Sequence, residues 1–96
     1  KGYTPLIVAI NYNQKKVVKL LLNHGADLSI CDFNGKSPLI HSKNSYLKYK
    51  DPSIIKIILN SNLDVYQKDY KNKNVFDYSG KKDEIEALNL IKVNYK

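Results

Sequence analysis

The sequence contains no arginine, although it carries 16 lysines against nine acidic residues and has a formal net charge of +7. A positive charge of this size is often a sign of nucleic-acid binding. Arginine, however, is the residue that makes bidentate contacts with guanine and phosphate. A composition rich in lysine and asparagine is also typical of AT-rich genomes. The charge therefore favours a solvated lysine surface, and nucleic acid is the less favoured partner.

Cysteine and long apolar runs are equally scarce. Cys31 is the single cysteine, so no disulfide forms within the chain, and we expect a reducing, cytoplasmic compartment. No apolar run reaches the roughly 18 residues of a membrane-spanning helix, so no membrane partner is expected. The first residues lack the pattern of a signal peptide. Because the chain begins at Lys1 and not at Met, we expect a fragment or a processed chain.

Catalytic and metal-binding constellations are missing as well. The two histidines and Cys31 do not have the spacing of zinc ligands. We interpret His24 as a surface cap at a helix end, His41 as a partly buried filler, and Cys31 as a small buried thiol. Asp83 and Glu86 fit a capping box at a helix start. We therefore predict no enzymatic activity, no metal, no cofactor and no small-molecule substrate.

One pattern occurs more than once along the chain. The letters GYTPL from Gly2 recur as GKSPL from Gly35, which is 33 residues later. The letters VVKLLLN from Val17 recur as IIKIILN from Ile54, which is 37 residues later. The second copy therefore contains an insertion of four residues. A third, partial copy begins at Asp69 with DYKNKNVFDYSG.

Each copy predicts a pair of helices. Thr or Ser followed by Pro is a typical helix start, and the apolar letters that follow fit a buried helical face. Gly25 ends the second helix of the first copy, and Asn34-Gly35 predicts a tight turn. The helices are expected over residues 5–12, 14–23, 38–44, 52–60, 75–80 and 84–93.

The stretches GYTPLIVAI and VVKLLLNHGADLSICD closely resemble the ankyrin repeat, a 33-residue unit of a turn and two antiparallel helices. The resemblance implies an all-α ankyrin-repeat solenoid; an unrelated array of helical hairpins is the alternative. The family's histidine is replaced by Ile7, Ile40 and Asp77, so we expect its hydrogen bonding between neighbouring repeats to be absent. The units are a repeat with an incomplete turn (1–31), a repeat with a four-residue insertion between its helices (32–68) and a degenerate C-terminal capping repeat (69–96).

Ankyrin proteins usually bind another protein on the concave surface formed by turn tips and first helices, so the resemblance implies a protein-binding surface here. Phe33 and Tyr70 occupy equivalent turn tips. They are either exposed aromatic contacts or rings that pack on the neighbouring turn. Carried over residue by residue, the predicted protein-binding positions are Tyr3, Asn11, Tyr12, Phe33, Asn34, Lys36, Asn44, Ser45, Tyr70, Lys71, Lys73, Lys81 and Lys82.

The inserted residues lie between Lys43 and Ser53 and are expected to lengthen the loop between the two helices of the second unit. Tyr46 and Tyr49 in this loop are further candidates for binding, because extended loops of repeats often carry contacts. The alternative is that Leu47 and one tyrosine fold back onto the helix pair. Asp51-Pro52 is expected to restart the second helix.

The sequence therefore favours a non-enzymatic protein–protein interaction module whose partner has an acidic surface. We expect further ankyrin repeats upstream, because Ile7, Ile10 and Val17 would leave apolar surface on the first unit. A purely structural spacer in a repeat array is one alternative. Another is a sequence-independent binder of nucleic acid or another anionic surface, through a cluster formed by Lys71, Lys73, Lys81 and Lys82.

Overall fold

The chain folds into paired helices. The computed structural model describes residues 2–61, 63–78 and 82–94, with the side chains of all of these except residues 82–84 and 94. No strand occurs among the described residues, so the predicted all-α class is confirmed. The helices are α1 (Pro5–Asn11), α2 (Lys15–Asn23), α3 (Pro38–Tyr49), α4 (Ser53–Leu59), a 3-10 helix (Val75–Asp77) and α5 (Lys82–Asn94).

The first helices of units one and two begin in the same way. The Thr4 hydroxyl accepts a hydrogen bond from Ile7 N at 3.1 Å, and the Ser37 hydroxyl accepts one from Ile40 N at 3.3 Å. Proline follows each cap at the first helical position, where its missing N–H costs no intrahelical bond. Helix α1 is then followed by Asn13 in the left-handed conformation, with φ of 55°.

The core lies between the two layers of helices. Helix α1 packs against α2 and α3, α3 packs against α4 and α5, and α2 packs against α4. Ile7 and Ile10 have no exposed surface, so the expectation that they leave apolar surface exposed on unit one is wrong. Only Val17 of that expected set is exposed, at 43%. The fully buried isoleucines and valines of the helix pairs include Val18, Ile54, Ile55 and Ile58.

The inserted residues extend a helix, and the expected lengthened loop is wrong. Helix α3 continues to Tyr49 because no glycine or proline interrupts it, and Lys50 then adopts a left-handed conformation with φ of 56°. Pro52 follows, and Asp51 Oδ1 accepts hydrogen bonds from Ser53 N at 3.0 Å and from the Ser53 hydroxyl at 2.7 Å. The second helix therefore restarts next to Asp51-Pro52, but one residue later than expected: Pro52 is its N-cap and Ser53 its first residue, so the expectation of Asp51 as N-cap and Pro52 as the first helical residue is wrong.

The third unit has a shorter first helical segment than the other two. A single 3-10 turn replaces the first helix, and Asn74 and Asp77 cap it reciprocally. Helix α5 buries Leu88 and Ile91, whereas Ile85 is half exposed. Residues 79–81 and the side chain of Asp83 lie outside the described part, and the predictions for the end of the helix over 75–80 and for the second capping box fall there. None of the described helices is long and apolar enough to cross a membrane.

Candidate functional site

The turns that open units two and three are built around one buried aspartate each. Asp32 Oδ1 accepts hydrogen bonds from the backbone N–H groups two and four residues ahead, at 2.8 and 3.0 Å. Asp69 Oδ1 repeats both contacts at 2.9 and 3.0 Å. The two carboxylates therefore hold the two turn tips in the same shape, and equivalent positions project in equivalent directions.

An aromatic ring at each turn tip lies against the glycine of the preceding turn. The ring of Phe33 contacts Gly2, and the ring of Tyr70 contacts Gly35. Tyr70 N also donates a hydrogen bond to Asn34 O at 3.2 Å, which joins the second and third turns. The rings nevertheless stay 76% and 79% exposed. Both readings of the sequence thus apply: each ring packs on its neighbour's turn, and each presents its other side to solvent.

Behind each turn, a ring from the first helical segment binds the buried aspartate. His41 Nε2 donates to Asp32 Oδ2 at 2.8 Å, and the hydroxyl of Tyr78 donates to Asp69 Oδ2. His41 Nδ1 also lies 3.2 Å from Asn11 Oδ1 in the first unit. The expectation that no histidine hydrogen bonding links neighbouring repeats is therefore wrong, because His41 provides it one position later in the helix. The sequence does contain a signal for this role: His41 follows Asp32 by nine residues, and Tyr78 follows Asp69 by the same number.

These contacts shift the pKa values of the groups involved. Burial acts to raise the pKa of Asp32 and of Asp69, but hydrogen bonds from the turn N–H groups and from His41 or Tyr78 outweigh it, and both pKa values are lowered. The hydrogen bond to Asp69, with burial and the carboxylate charge, raises the pKa of Tyr78 to about 12. Both carboxyls are therefore ionised acceptors at neutral pH.

The lowered carboxyl pKa values predict that acid destabilises the fold. A depressed folded pKa stabilises the protein above the unfolded value of 3.8, and that contribution is lost as the pH falls through the folded pKa. We expect the midpoint of thermal unfolding to hold down to about pH 4 and to fall between about pH 4 and pH 2. The measurement is a series of melts followed by circular dichroism.

A double variant controls the acid prediction. Asp32→Asn with Asp69→Asn should be less stable at neutral pH and should lose less stability on acidification, because its turn caps no longer titrate. An unchanged midpoint of the natural chain between pH 5 and pH 2.5 would contradict the turn geometry.

Three lysines converge on the ring of Tyr78. The Nζ atoms of Lys36, Lys43 and Lys73 lie 5.8, 5.0 and 5.7 Å from its centroid, within the range of cation–π attraction. Lys43 is only 2% exposed and occupies the position that Ile10 fills in the first unit. Lys36 and Lys73 are among the binding positions predicted from the sequence, whereas Lys43, which lies on an otherwise apolar helix face, is not.

Several predicted binding residues come together in one recess. A cavity of about 260 Å³ between the second and third turns is lined by Asn34, Lys36, Asp69, Tyr70 and Lys71. Four of these five were predicted from the sequence, and Asp69 was not. The recess therefore places the amide, the two lysines and the aromatic ring around one opening.

Two other predicted residues lie on a different surface. Tyr3 and Tyr12 line an apolar groove of about 640 Å³ on the outer side of unit one. Tyr3 also contacts the ring of His41 edge-on, with the centroids 5.4 Å apart. The remaining lining residues of the groove are Pro5, Val8, Ala9, Gln14 and Val17.

The predicted binding residues on α1 and α3 differ in how far they are buried. Asn44 is exposed, whereas Ser45 is 5% exposed and presents almost no surface to a partner. Ser45 lies within α3, which continues past the predicted loop and packs against α1, so its role as a contact stays a prediction with little exposed surface to support it. Asn11 is half-buried and contacts His41.

The insertion tyrosines lie on a helix. Tyr46 is half-buried and packs against the core, so the alternative in which one tyrosine folds back describes it better than an exposed loop does. Tyr49 is 38% exposed beneath the ammonium of Lys48. Lys81 and the side chain of Lys82 lie outside the described residues.

The remaining candidate residues, Cys31 and His24, have little potential for catalysis. Cys31 is half-buried, and burial followed by the charge of Asp32 raises the pKa of its thiol, which makes it a poor nucleophile at neutral pH. His24 is the exposed C-cap of α2, and its backbone N–H donates hydrogen bonds to carbonyl groups in the last turn of that helix. Among the described residues, no group of three or more histidine, cysteine or acidic side chains is arranged to hold a metal ion.

Comparison with known proteins agrees with this architecture. Residues 1–69 match the family described as ankyrin repeats (3 copies). The chain is 45% identical over 47 residues to the putative ankyrin repeat protein FPV230 of Fowlpox virus, covering 49% of this chain and 25% of that protein. It is 40% identical over 38 residues to the ankyrin repeat-containing protein P1E11.10 of Schizosaccharomyces pombe, covering 40% of this chain and 18% of that protein.

A solved structure shares the fold over nearly the whole chain. The ankyrin repeat domain of Bcl-3, described as a unique member of the IkappaB protein family, superposes with a TM-score of 0.76 at 28% identity. The match covers 99% of this chain and 41% of that one, and the chain spans about a quarter of the length of the Fowlpox relative. The repeated turns, the stacked helix pairs and these matches together show that the chain belongs to the ankyrin-repeat family.

Proposed function

We propose that this chain is a non-enzymatic module that recognises an acidic surface of another protein. Ankyrin repeats are generally protein–protein interaction modules. The observation that carries the proposal is the pair of turn-tip rings, Phe33 and Tyr70, which remain more than three-quarters exposed although each is held against a neighbouring glycine. Exposed, pre-positioned aromatics are enriched among residues that dominate binding energy.

Charge selects the kind of partner. Lys36 and Lys71 line the recess together with Tyr70, and the ammonium of Lys73 lies near the ring of Tyr78. Within the described residues none of these three lysines forms an ion pair. A partner with acidic side chains would neutralise them, and its affinity would fall as salt screens the charges. The absence of arginine keeps the alternative of nucleic-acid binding less favoured.

Truncating the turn-tip rings tests the proposal. A partner captured with the full-length protein should bind Phe33→Ala and Tyr70→Ala more weakly by about 1 kcal/mol or more each, because each ring contributes contact area at low entropic cost. The measurement is a calorimetric titration at two salt concentrations. Tyr66→Ala serves as the control, since Tyr66 is 60% exposed and lies outside the proposed surface.

Two results would count against the proposed surface. Equal losses in Tyr66→Ala and Phe33→Ala would mean that the effect is not local to the turn tips. Unchanged affinity in both turn-tip variants would leave the spacer alternative as the better account.

We also propose that the outer side of unit one receives another repeat of the same kind. Positions that are exposed there are covered in unit two, where unit one packs on them. The exposed fractions are 41% for Val8 against 6% for His41, 43% for Val17 against 1% for Ile54, and 64% for Tyr12 against 5% for Ser45. The groove lined by Val8, Tyr12 and Val17 is therefore equivalent to a surface that is buried between repeats.

A fusion tests this stacking. Adding a helix pair of ankyrin type ahead of Gly2 should raise the melting temperature by at least about 4–8 °C, the shift that corresponds to 1 kcal/mol in a domain of this size. Val17→Lys should be tolerated in the unfused chain, where Val17 is 43% exposed, but should remove the gain in the fusion. A fusion that melts no higher than the chain alone would show that this surface is not a repeat interface.

A further inference from the structure

The recess between the second and third turns is small and has a mixed lining. Its volume of about 260 Å³ is lined by Asn34, Lys36, Asp69, Tyr70 and Lys71. Sites for drug-sized molecules span roughly 300–1,000 Å³. The recess is smaller than such sites, and its size suits a single side chain. We propose that it binds the carboxylate of an acidic side chain in a peptide segment of the partner, which deepens the proposed function and rests on it.

The charges around the recess favour an anion. Lys36 and Lys71 line it, and the ammonium groups of Lys43 and Lys73 lie 5.0 and 5.7 Å from the centroid of the Tyr78 ring. The ammonium of Lys36 lies 5.8 Å from the same ring centroid, so this lysine both lines the recess and lies near the Tyr78 ring. The described lining of the recess therefore carries two lysines and one carboxylate, Asp69.

That carboxylate, Asp69, is already satisfied. Its Oδ1 accepts hydrogen bonds from Lys71 N and Lys73 N, and its Oδ2 accepts one from the hydroxyl of Tyr78. The charge of Lys36 also acts on Asp69 and helps to lower its pKa, so Asp69 balances one of the two lysine charges in the lining and leaves the other. An incoming carboxylate completes the charge balance that Asp69 leaves open.

The walls of the recess are fixed before a ligand arrives. The hydrogen bond from Tyr70 N to Asn34 O spans the two turns, and the ring of Tyr70 is seated on Gly35. A preformed site loses less conformational freedom on binding. The exposed side of the Tyr70 ring then offers an apolar contact next to the lysines. The ligand that fits is an acidic residue adjacent to an aromatic or apolar one.

A nucleic acid fits this geometry less well. Sequence-independent binding of nucleic acid uses a positive groove that follows several phosphates along the backbone. The recess accepts one anionic group, and the chain contains no arginine for bidentate phosphate contacts. Nucleic acid is therefore kept as an outcome of the test.

The experiment measures binding of three labelled probes to the whole chain by fluorescence anisotropy at about 150 mM salt, where surface charges are largely screened. The probes are a random copolymer of glutamate and tyrosine, polyglutamate of equal length, and a random DNA duplex. We expect the copolymer to bind most tightly, because only it supplies both the carboxylate and the aromatic neighbour.

Matched double variants localise the binding. Lys36→Gln with Lys71→Gln should weaken binding of the copolymer by about tenfold or more, because charge-assisted hydrogen bonds are lost. Lys16→Gln with Lys19→Gln removes the same charge from the exposed face of α2 and should change affinity by less than about threefold. As an independent readout, the copolymer should shift the NMR resonances of the Asn34 side-chain amide in the natural chain.

Each alternative result has a distinct meaning. Equal losses in both double variants, or no shift at Asn34, would overturn the recess and indicate diffuse attraction. Tighter binding of the duplex, lost on changing Lys36 and Lys71, would assign the recess to nucleic acid and overturn the proposal. If a captured partner depends on Phe33 and is indifferent to Lys36 and Lys71, the recess proposal fails while the proposed recognition surface stands.

Discussion

Replacing Ile58 with alanine is expected to lower the free energy of unfolding by about 2–5 kcal/mol. Ile58 has no exposed surface and lies in α4, within the continuous core shared by the stacked helix pairs. Truncation removes buried apolar atoms and leaves a cavity that the neighbouring helices fill only in part. Urea denaturation followed by circular dichroism measures the loss. In a chain of this size, a loss of that magnitude would leave little folded protein at elevated temperature.

Phe33→Ala is the matched comparison, because it removes a larger side chain from an exposed position. Phe33 is 76% exposed, and we expect a loss of less than about 1 kcal/mol, which is typical of surface positions. If Phe33→Ala unfolds the chain as readily as Ile58→Ala does, the ring is part of the core. The proposed recognition surface would then lose its main support.

The second large effect is expected at Gly35, whose replacement by alanine should cost about 2 kcal/mol or more. Its φ of 77° is unfavourable for a residue with a Cβ atom. An added Cβ would also lie 2.5 Å from Tyr70 Cδ1 and 2.7 Å from Tyr70 N. Because the second of these atoms belongs to the backbone, the third turn has to move away, and the hydrogen bond from Tyr70 N to Asn34 O is broken.

Gly25→Ala separates backbone strain from the close approach. Gly25 has a comparable φ of 89°, but an added Cβ there would meet no atom within 4 Å. We expect a cost of about 1–2 kcal/mol from the left-handed conformation alone. Chemical denaturation of the two variants side by side gives the difference. Equal losses would contradict the packing of Tyr70 on Gly35.

The sequence predicts the helix pairs well because their determinants are local. A hydroxyl cap followed by proline starts α1 and α3, and apolar spacing defines the buried faces of α2 and α4. Each of these signals lies within a few residues of the element that it controls. The two repeat offsets, 33 and 37 residues, were enough to place Phe33 and Tyr70 at equivalent turn tips.

The errors arise where distant contacts decide the structure. The insertion was expected to form a loop, but the chain between Pro38 and Tyr49 contains no residue that stops a helix, and Tyr46 packs on the core. The bridging role of His41 depends on Asp32 and Asn11, which lie nine and 30 residues away. No local pattern reports such a contact. Only the recurrence of an aspartate and a ring at the repeat offset reveals it.

Hydrogen–deuterium exchange of the chain with and without its captured partner tests the recognition surface most directly. We expect slower exchange at the two turn tips, over residues 33–36 and 70–73, and no change along the exposed face of α2. A bound partner excludes water from the backbone amides that it covers, so the protected segments show where it binds. Protection confined to α2 and α4, with unchanged exchange at both turn tips, would contradict the proposed surface.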